Sequence, residues 1–205
     1  MNKPVYALDI QTLGRFSISV EGKTVAANWP DERLKVLFCS LLSPLDLYFT
    51  WDRICRSLLG VPESRSSRRQ LDELFVRPLN HFLLKKLGFN PLIAAPEGMR
   101  IDPQGIHVDV FEFYRAVIDG LNLMSVNNLD SAREKFSSAN SLYVGSYLPE
   151  LSGNIIVNTR IELESLYQTA VKDGVWQTRS VLCPLDSVRS DRKKQASAPI
   201  KIPSR

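Results

Sequence analysis

Residues 63–88 read ESRSSRRQLDELFVRPLNHFLLKKLG, and this stretch decides the predicted fold. Apolar residues recur in it at helical spacing, which predicts an amphipathic helix with one side on a core: Leu71, Leu74, Phe75, Pro78 and Phe82. The opposite side carries Arg69, Glu73, Val76 and Asn80, with Arg77 close by. Residues 53–88 contain eight Lys or Arg and three acids, a net charge of +5. Such an excess is expected of an element that lies against phosphates, although an ordinary helix with a solvated charged face also fits it.

Pro78 lies well inside this predicted helix. Its ring removes an amide donor and clashes with the preceding turn, at a cost of roughly 3 kcal/mol unless the helix kinks. The apolar stripe continues after Pro78 one residue out of phase, beginning at Leu79. We therefore expect a kink or a restart of the helix near Pro78.

Two acids, Asp72 and Glu73, fall near the face that would meet a phosphate backbone. They would repel phosphate unless they read a cytosine amine or pair with Arg69 and Arg77. The sequence leaves these two roles open.

The elements around this helix occur in a characteristic order. Residues 6–25 alternate between apolar and polar positions, which predicts short antiparallel strands. Helices are predicted from the Trp29-Pro30-Asp31-Glu32 start and from Trp51 to Leu59, with Thr50 as the cap of the second. Residues 92–102 predict a β-hairpin around a Pro-Glu-Gly turn. Strands, two helices, a basic helix and a hairpin are the order of a winged helix-turn-helix.

The rest of the chain predicts helices and then a tail. Three apolar stripes at helical spacing run over residues 110–121, 129–143 and 159–171, the first preceded by Asp109 and Glu112 at capping-box spacing. From residue 177 the chain is rich in Ser, Pro and basic residues, which predicts disorder. Net charges of +3, −4 and +5 over residues 1–103, 104–174 and 175–205 support the same division. We predict a winged-helix domain over 1–103, a helical domain over 104–175 and a basic tail over 176–205.

Four segments resemble a known pair of bacterial domains. LDIQTLGRFSISVEGKTV (8–25) is similar to the start of response-regulator type winged-helix domains in antibiotic-pathway activators. IHVDVFEFYRAV (106–117), LYVGSYLPEL (142–151) and RIELESLYQTAV (160–171) resemble the bacterial transcriptional activator domain that follows them. The resemblance implies an α+β winged helix-turn-helix domain followed by an all-α tetratricopeptide-like domain, here shortened. It also implies DNA binding by the first domain, and dimerisation or regulatory contacts by the second.

Composition argues against several other classes of protein. Three cysteines, Cys39, Cys55 and Cys183, form no CxxC pair, so neither a disulfide framework nor a zinc site is indicated. The first residues lack a signal-peptide apolar run, and no stretch reaches the about 18 apolar residues of a membrane span. With only His81 and His107, a metal cluster or a nucleophile with a histidine base is poorly supported. We predict a cytoplasmic protein without enzymatic activity, cofactor or metal.

The predicted ligand is double-stranded DNA, read by the helix at 64–88 and contacted by the hairpin. Arginine suits guanine and asparagine suits adenine, so the candidate base contacts are Arg69, Arg77 and Asn80. The candidate phosphate contacts are Arg65, Arg68, Lys85, Lys86 and Arg100. The alternative is a winged helix that has lost base reading and docks a partner, such as another regulatory protein. Because a short helical stack leaves its end faces open, we also predict a homodimer through the helical domain, with Leu166 and Tyr167 in the interface.

Overall fold

The computed structural model describes residues 8–25, 28–46 and 48–172. Its strands are β1 Leu8–Gln11, β2 Ser17–Val20, β3 Lys23–Thr24, β4 Phe49–Thr50, β5 Leu92–Ala94, β6 Gly98–Ile101 and β7 Ile106–Val108. Its α-helices are α1 Glu32–Ser40, α2 Trp51–Leu59, α3 Arg65–Leu71, α4 Arg77–Leu87, α5 Asp109–Ser125, α6 Leu129–Leu142 and α7 Asn154–Leu166. Two π-helical segments, Asp72–Val76 and Tyr167–Lys172, follow α3 and α7 directly.

The first sheet joins the two halves of the chain. Its strand order is β3-β2-β1-β7, with β1 antiparallel to β2 and parallel to β7. In this register Leu8 lies opposite both Val20 and Ile106. Strand β7 lies beyond residue 103, so a strand from the predicted helical half completes the N-terminal sheet.

The second sheet contains the hairpin expected over residues 92–102. Strand β5 pairs antiparallel with β6, and β6 pairs antiparallel with β4 on its other side. Gly98 is required where β6 meets β4, because a Cβ at this position would lie 2.1 Å from the backbone oxygen of Phe49. The hairpin is therefore fixed to the segment that leads into α2.

The cap predicted at Thr50 is confirmed, and Asp31, within the predicted start of the first helix, caps α1. The carboxylate of Asp31 accepts from the amide of Arg33 at 2.8 Å, and the hydroxyl of Thr50 accepts from the amide of Arg53 at 3.3 Å. The capping box expected at Asp109 is wrong, because Asp109 is already the first residue of α5.

Helices α5 and α6 pack closely at Gly120. A Cβ on Gly120 would lie 2.6 Å from Cε1 of Phe136, a fully buried ring. Ala132 and Ala139 flank Phe136 on α6 and are also fully buried. Small residues thus permit the close approach of these two helices.

Helix α7 packs against the N-terminal half rather than ending a free helical stack. It contacts α1, and the buried hydroxyls of Ser43 and Thr159 lie 2.9 Å apart. The hydroxyl of Tyr147 donates to the backbone oxygen of Cys39 at 3.0 Å across the same boundary. The apolar side expected to face a missing repeat is therefore covered, in part, by this chain itself.

Some predictions fall outside the described residues. These are the basic tail at 176–205 and the state of Cys183. The domain boundaries after residues 103 and 175 stay predictions. Among the described residues, no helix combines the length and apolarity needed to cross a membrane.

Candidate nucleic-acid interface

Helix α3, the π-helical segment Asp72–Val76 and α4 form one uninterrupted helix from Arg65 to Leu87, here named the 65–87 helix. Helical backbone angles continue through Leu71, Val76 and Arg77, so of the two expected outcomes near Pro78, a kink or a restart, the restart does not occur. Pro78 instead lies in the first turn of α4, immediately after the π-helical segment. A π-helical turn takes one extra residue, which explains why the apolar stripe continues one residue out of phase.

This insertion changes which residues the 65–87 helix buries. Leu71, Phe75 and Leu79 are buried as part of the core, whereas Leu74 is 54% exposed. Val76 is only 6% exposed, although the sequence placed it on the outer face. The predictions for Leu74 and Val76 were wrong because they assumed a constant helical period through the segment.

The start of the 65–87 helix is tied to the hairpin through Trp51. Ser64 and Ser67 form a capping box that fixes the first turn. One turn later, the guanidinium of Arg68 lies over the ring of Trp51, 3.2 Å from its centroid. The indole nitrogen of Trp51 donates to the backbone oxygen of Ala95 at 2.9 Å, at the hairpin turn. Trp51 therefore sets the position of the hairpin relative to the helix.

The outer face of the 65–87 helix carries two ion pairs. Nε of Arg69 lies 2.9 Å from Oε1 of Glu73, and Nε of Arg77 lies 2.7 Å from Oδ2 of Asp72. The hydrogen bond from Arg69 lowers the pKa of the Glu73 carboxyl. Of the two roles left open for the acids, pairing with these arginines is the one observed.

Three of the five predicted phosphate contacts are free cations at the two ends of this helix. Arg65 lies in the first turn, and Lys85 and Lys86 lie in the last. All three are exposed, and none forms an ion pair with a residue in the described part of the chain. The helix therefore presents unpaired positive charge at both ends and paired charge in the middle.

The remaining candidates are either half-buried on this helix or outside it. Arg68 is half-buried against Trp51, and burial lowers the pKa of its guanidinium. Asn80 is half-buried, with an Oδ1 atom that has no hydrogen-bond partner among the described residues. Arg100 is exposed on β6 and lines a groove toward α5 that no residue of the 65–87 helix borders. The structure thus places Arg65, Arg69, Arg77, Lys85 and Lys86 on one helix as exposed side chains, whereas Arg68 and Asn80 are half-buried on that helix and Arg100 lies on the hairpin.

The predicted dimer residues are held within their own chain. Leu166 packs against the core, and the ring of Tyr167 stacks on Tyr143 with centroids 4.0 Å apart. The hydroxyl of Tyr167 donates to Oδ1 of Asn140 at 3.0 Å. Both side chains are half-buried before any partner binds.

Sequence reasoning missed two polar connections that link β1 to α5. The Asp109 carboxylate accepts from the amides of Thr12 and Leu13 at 2.8 and 3.0 Å. His107 places Nδ1 2.9 Å from the Asp9 carboxylate and Nε2 3.0 Å from the Glu112 carboxylate. Sequence spacing of about a hundred residues gives no signal for such contacts. Among the described residues, no group of three or more His, Cys, Asp or Glu side chains has an arrangement that could hold a metal ion.

A solved structure, Mycobacterium tuberculosis EmbR in complex with a low-affinity phosphopeptide, is similar to this chain with a TM-score of 0.53 and 19% sequence identity. The similarity covers 83% of this chain and 43% of that chain, so this chain spans less than half of its length. Comparisons with known protein families and with curated proteins find no match. At this identity the likeness shows a shared fold, which is compatible with a winged helix followed by a helical part.

Proposed function

We propose that the chain is a DNA-binding transcriptional regulator that inserts the 65–87 helix into the major groove. The observation that carries the proposal is a set of five exposed cations on one uninterrupted helix: Arg65, Arg69, Arg77, Lys85 and Lys86. With Arg68, Asp72 and Glu73 included, this helix has six basic and two acidic residues. A hairpin held beside its start by Trp51 supplies a second element that can reach the adjacent backbone.

The ion pairs of Arg69 and Arg77 do not prevent base reading. Both arginines are largely exposed, at 82% and 73% of their side-chain surface. An exposed ion pair contributes about 0 to 1 kcal/mol, whereas a bidentate contact between arginine and guanine contributes about 1 to 3 kcal/mol of discrimination. The ion pairs are therefore weak enough for a contact between arginine and a DNA base to replace them.

Phosphate contacts are assigned to Arg65, Lys85 and Lys86. Because they stand at the two ends of the 65–87 helix, they can hold the backbones on either side of the groove while the middle of the helix faces the bases. We assign no catalytic role to the chain, and DNA binding implies a protein of the compartment that holds the DNA.

A second candidate function is protein docking by the same face. Leu74 and Leu84 are both 54% exposed on the 65–87 helix, and apolar side chains contribute little to phosphate binding. An exposed face that combines leucines with paired charges also suits a protein partner. This is the alternative in which the winged helix no longer reads bases.

Neutralising Asp72 and Glu73 distinguishes DNA binding from protein docking by this face. In Asp72→Ala/Glu73→Ala, the loss of two repulsive charges should raise the affinity for a random duplex at low salt. The matched control is Asp130→Ala/Glu134→Ala, which makes the same change of net charge on α6. We expect tighter binding for the first pair and a much smaller change for the control, measured by fluorescence anisotropy. Equal effects, or no DNA binding by any variant, would leave protein docking as the better account.

We further propose a homodimer formed by residues 104–175. Two copies would place two 65–87 helices on one duplex, with half-sites about one helical turn or a multiple of it apart. Exposed apolar side chains of the helical part support such an interface, among them Ile161 at 61% and Val144 at 67% exposure.

A further inference from the structure

An open groove lies between the hairpin and the helical part, away from the 65–87 helix. It has a volume of about 410 Å³ and is bordered by the segment after α1, by β6 and by α5. Sites for small organic molecules typically have volumes of about 300 to 1,000 Å³ and mostly apolar walls with a few charged groups. The volume of this groove falls in that range.

The walls and the rim of the groove differ in character. Leu41, Ile101, Phe111 and Ile118 supply apolar surface from three separate elements. Two arginines, Arg100 on β6 and Arg115 on α5, border the same space. An apolar body with one charged group would match both features.

The acids of the groove do not neutralise these arginines. Asp46 is bound by Nη1 of Arg53 at 2.7 Å, and Asp119 is bound by Nζ of Lys135 at 3.1 Å. Arg100 and Arg115 form no ion pair with any residue that the structure describes. The groove therefore has two cations available for an anion, and the planar guanidinium group suits a carboxylate in particular.

We propose that this groove binds a small carboxylate with an aromatic or aliphatic body. The basic C-terminal residues 175–205, with seven Lys or Arg and two Asp, have the wrong sign of charge to fill it. A DNA backbone does not suit its apolar walls. Arg100 is thereby assigned to this groove and not to phosphate. Binding does not rest on the proposed DNA function, although a ligand here would touch both the hairpin and α5.

The test compares an acid with its neutral counterpart. Naphthaleneacetate and naphthaleneacetamide share an apolar body and differ in charge, and both can be titrated into the full chain by calorimetry. We expect the acid to bind one site per chain, about tenfold or more tightly than the amide, because only the acid forms charge-assisted hydrogen bonds with the arginines.

Variants of residues that line the groove test whether the acid binds there. Arg100→Gln and Arg115→Gln should each weaken binding of the acid about tenfold and leave the amide unchanged. Lys23→Gln, on the exposed strand β3, removes the same charge elsewhere and should have no effect. Ile118→Trp should weaken both compounds by filling the groove, with thermal unfolding by circular dichroism confirming that it folds.

Three results would overturn the proposal. They are equal affinity for acid and amide, unchanged affinity of the acid in both arginine variants, or absence of acid binding to the wild-type chain. If an apolar peptide with a free carboxyl terminus bound while the small acid did not, the groove would be a peptide site instead.

Discussion

Arg69 and Arg77 differ from the other cations of the 65–87 helix because each forms an ion pair with an acid of the same helix. Their partners, Glu73 and Asp72, lie within 2.9 Å of the guanidinium nitrogens. Because these pairs are exposed, they orient the arginines at little cost in free energy. The sequence could raise this pairing as one of two possibilities, since Glu73 lies four residues from each arginine; the pair of Arg77 with Asp72 instead spans five residues, across the π-helical segment. It could not exclude the alternative role in reading cytosine, because that choice depends on side-chain positions.

Substitution of either arginine tests whether these side chains read DNA bases. Arg69→Ala or Arg77→Ala should cost roughly 1 to 3 kcal/mol of binding on a duplex selected from a random pool, with a smaller loss on random duplexes. Gln70→Ala, at a neighbouring exposed position, is the control. Competition binding measures both affinities. Equal losses on selected and random duplexes would mean that these arginines contact phosphate only.

Among the elements, the π-helical segment Asp72–Val76 shows where prediction from sequence reaches its limit. The phase shift of the apolar stripe was visible in the sequence, as was the proline beside it. Period alone cannot tell a restart from a one-residue insertion, because both move the stripe by the same angle. Leu74 and Val76 were consequently placed on the wrong sides. The cap at Thr50 and the helix start around Asp31 were predictable because they depend on neighbouring residues alone.

The contact between α5 and α6 gives a prediction about stability. In Gly120→Ala the new methyl group meets the buried ring of Phe136, which costs about 1 to 3 kcal/mol when a packed site cannot expand. Alanine gains up to about 1 kcal/mol over glycine from helix propensity, so the net effect should be destabilising. Asn122→Ala, exposed on the same helix, should be neutral or slightly stabilising. Urea unfolding of both variants checks this, and a more stable Gly120→Ala would show that α6 moves away freely.

In the molecule as a whole, polar contacts hold the sheet and the helical part together. Asp109 receives the amides that follow β1, Ser43 meets Thr159, and His107 bridges Asp9 and Glu112. The order of elements along the chain was predictable from local patterns. The way in which β7 joins the first sheet and α7 packs on α1 was not, because these contacts join residues far apart in sequence.

His107 should make stability depend on pH. Its burial disfavours the charged ring, but the hydrogen bonds to Asp9 and Glu112 outweigh this effect, and the pKa of His107 is raised. A raised pKa in the folded state stabilises the fold at low pH, and that stability is lost as the pH rises through the folded pKa. His107→Gln should therefore lower the free energy of unfolding more at about pH 5.5 than at about pH 9.

The control for this pH dependence is His81→Gln, at an exposed position of the 65–87 helix. His81 forms no ion pair with a residue in the described part of the chain, and the two variants are compared at both pH values. A loss in His107→Gln that does not vary with pH would contradict the bridging role of the charged ring.

The proposed homodimer is a prediction about assembly. Leu166→Asp and Tyr167→Asp would disturb packing within the chain as well as any interface, because both side chains are half-buried. Ile161→Asp is the sharper variant, since Ile161 is 61% exposed on α7. Sedimentation should show a dimer for the wild type and a folded monomer for Ile161→Asp, with Ser137→Asp on α6 as control. A wild-type monomer at high micromolar concentration would exclude the dimer.

The salt dependence of DNA binding tests the central proposal most directly. Binding of a labelled duplex is measured by anisotropy at several salt concentrations for the wild type, for Lys85→Gln/Lys86→Gln and for the control Lys23→Gln. Each phosphate contact contributes about −0.9 to the slope of log affinity against log salt. We predict a slope that is shallower by about 1.8 in the double variant and unchanged in Lys23→Gln. No binding by the wild type, or the same slope in all three proteins, would contradict DNA binding through the 65–87 helix.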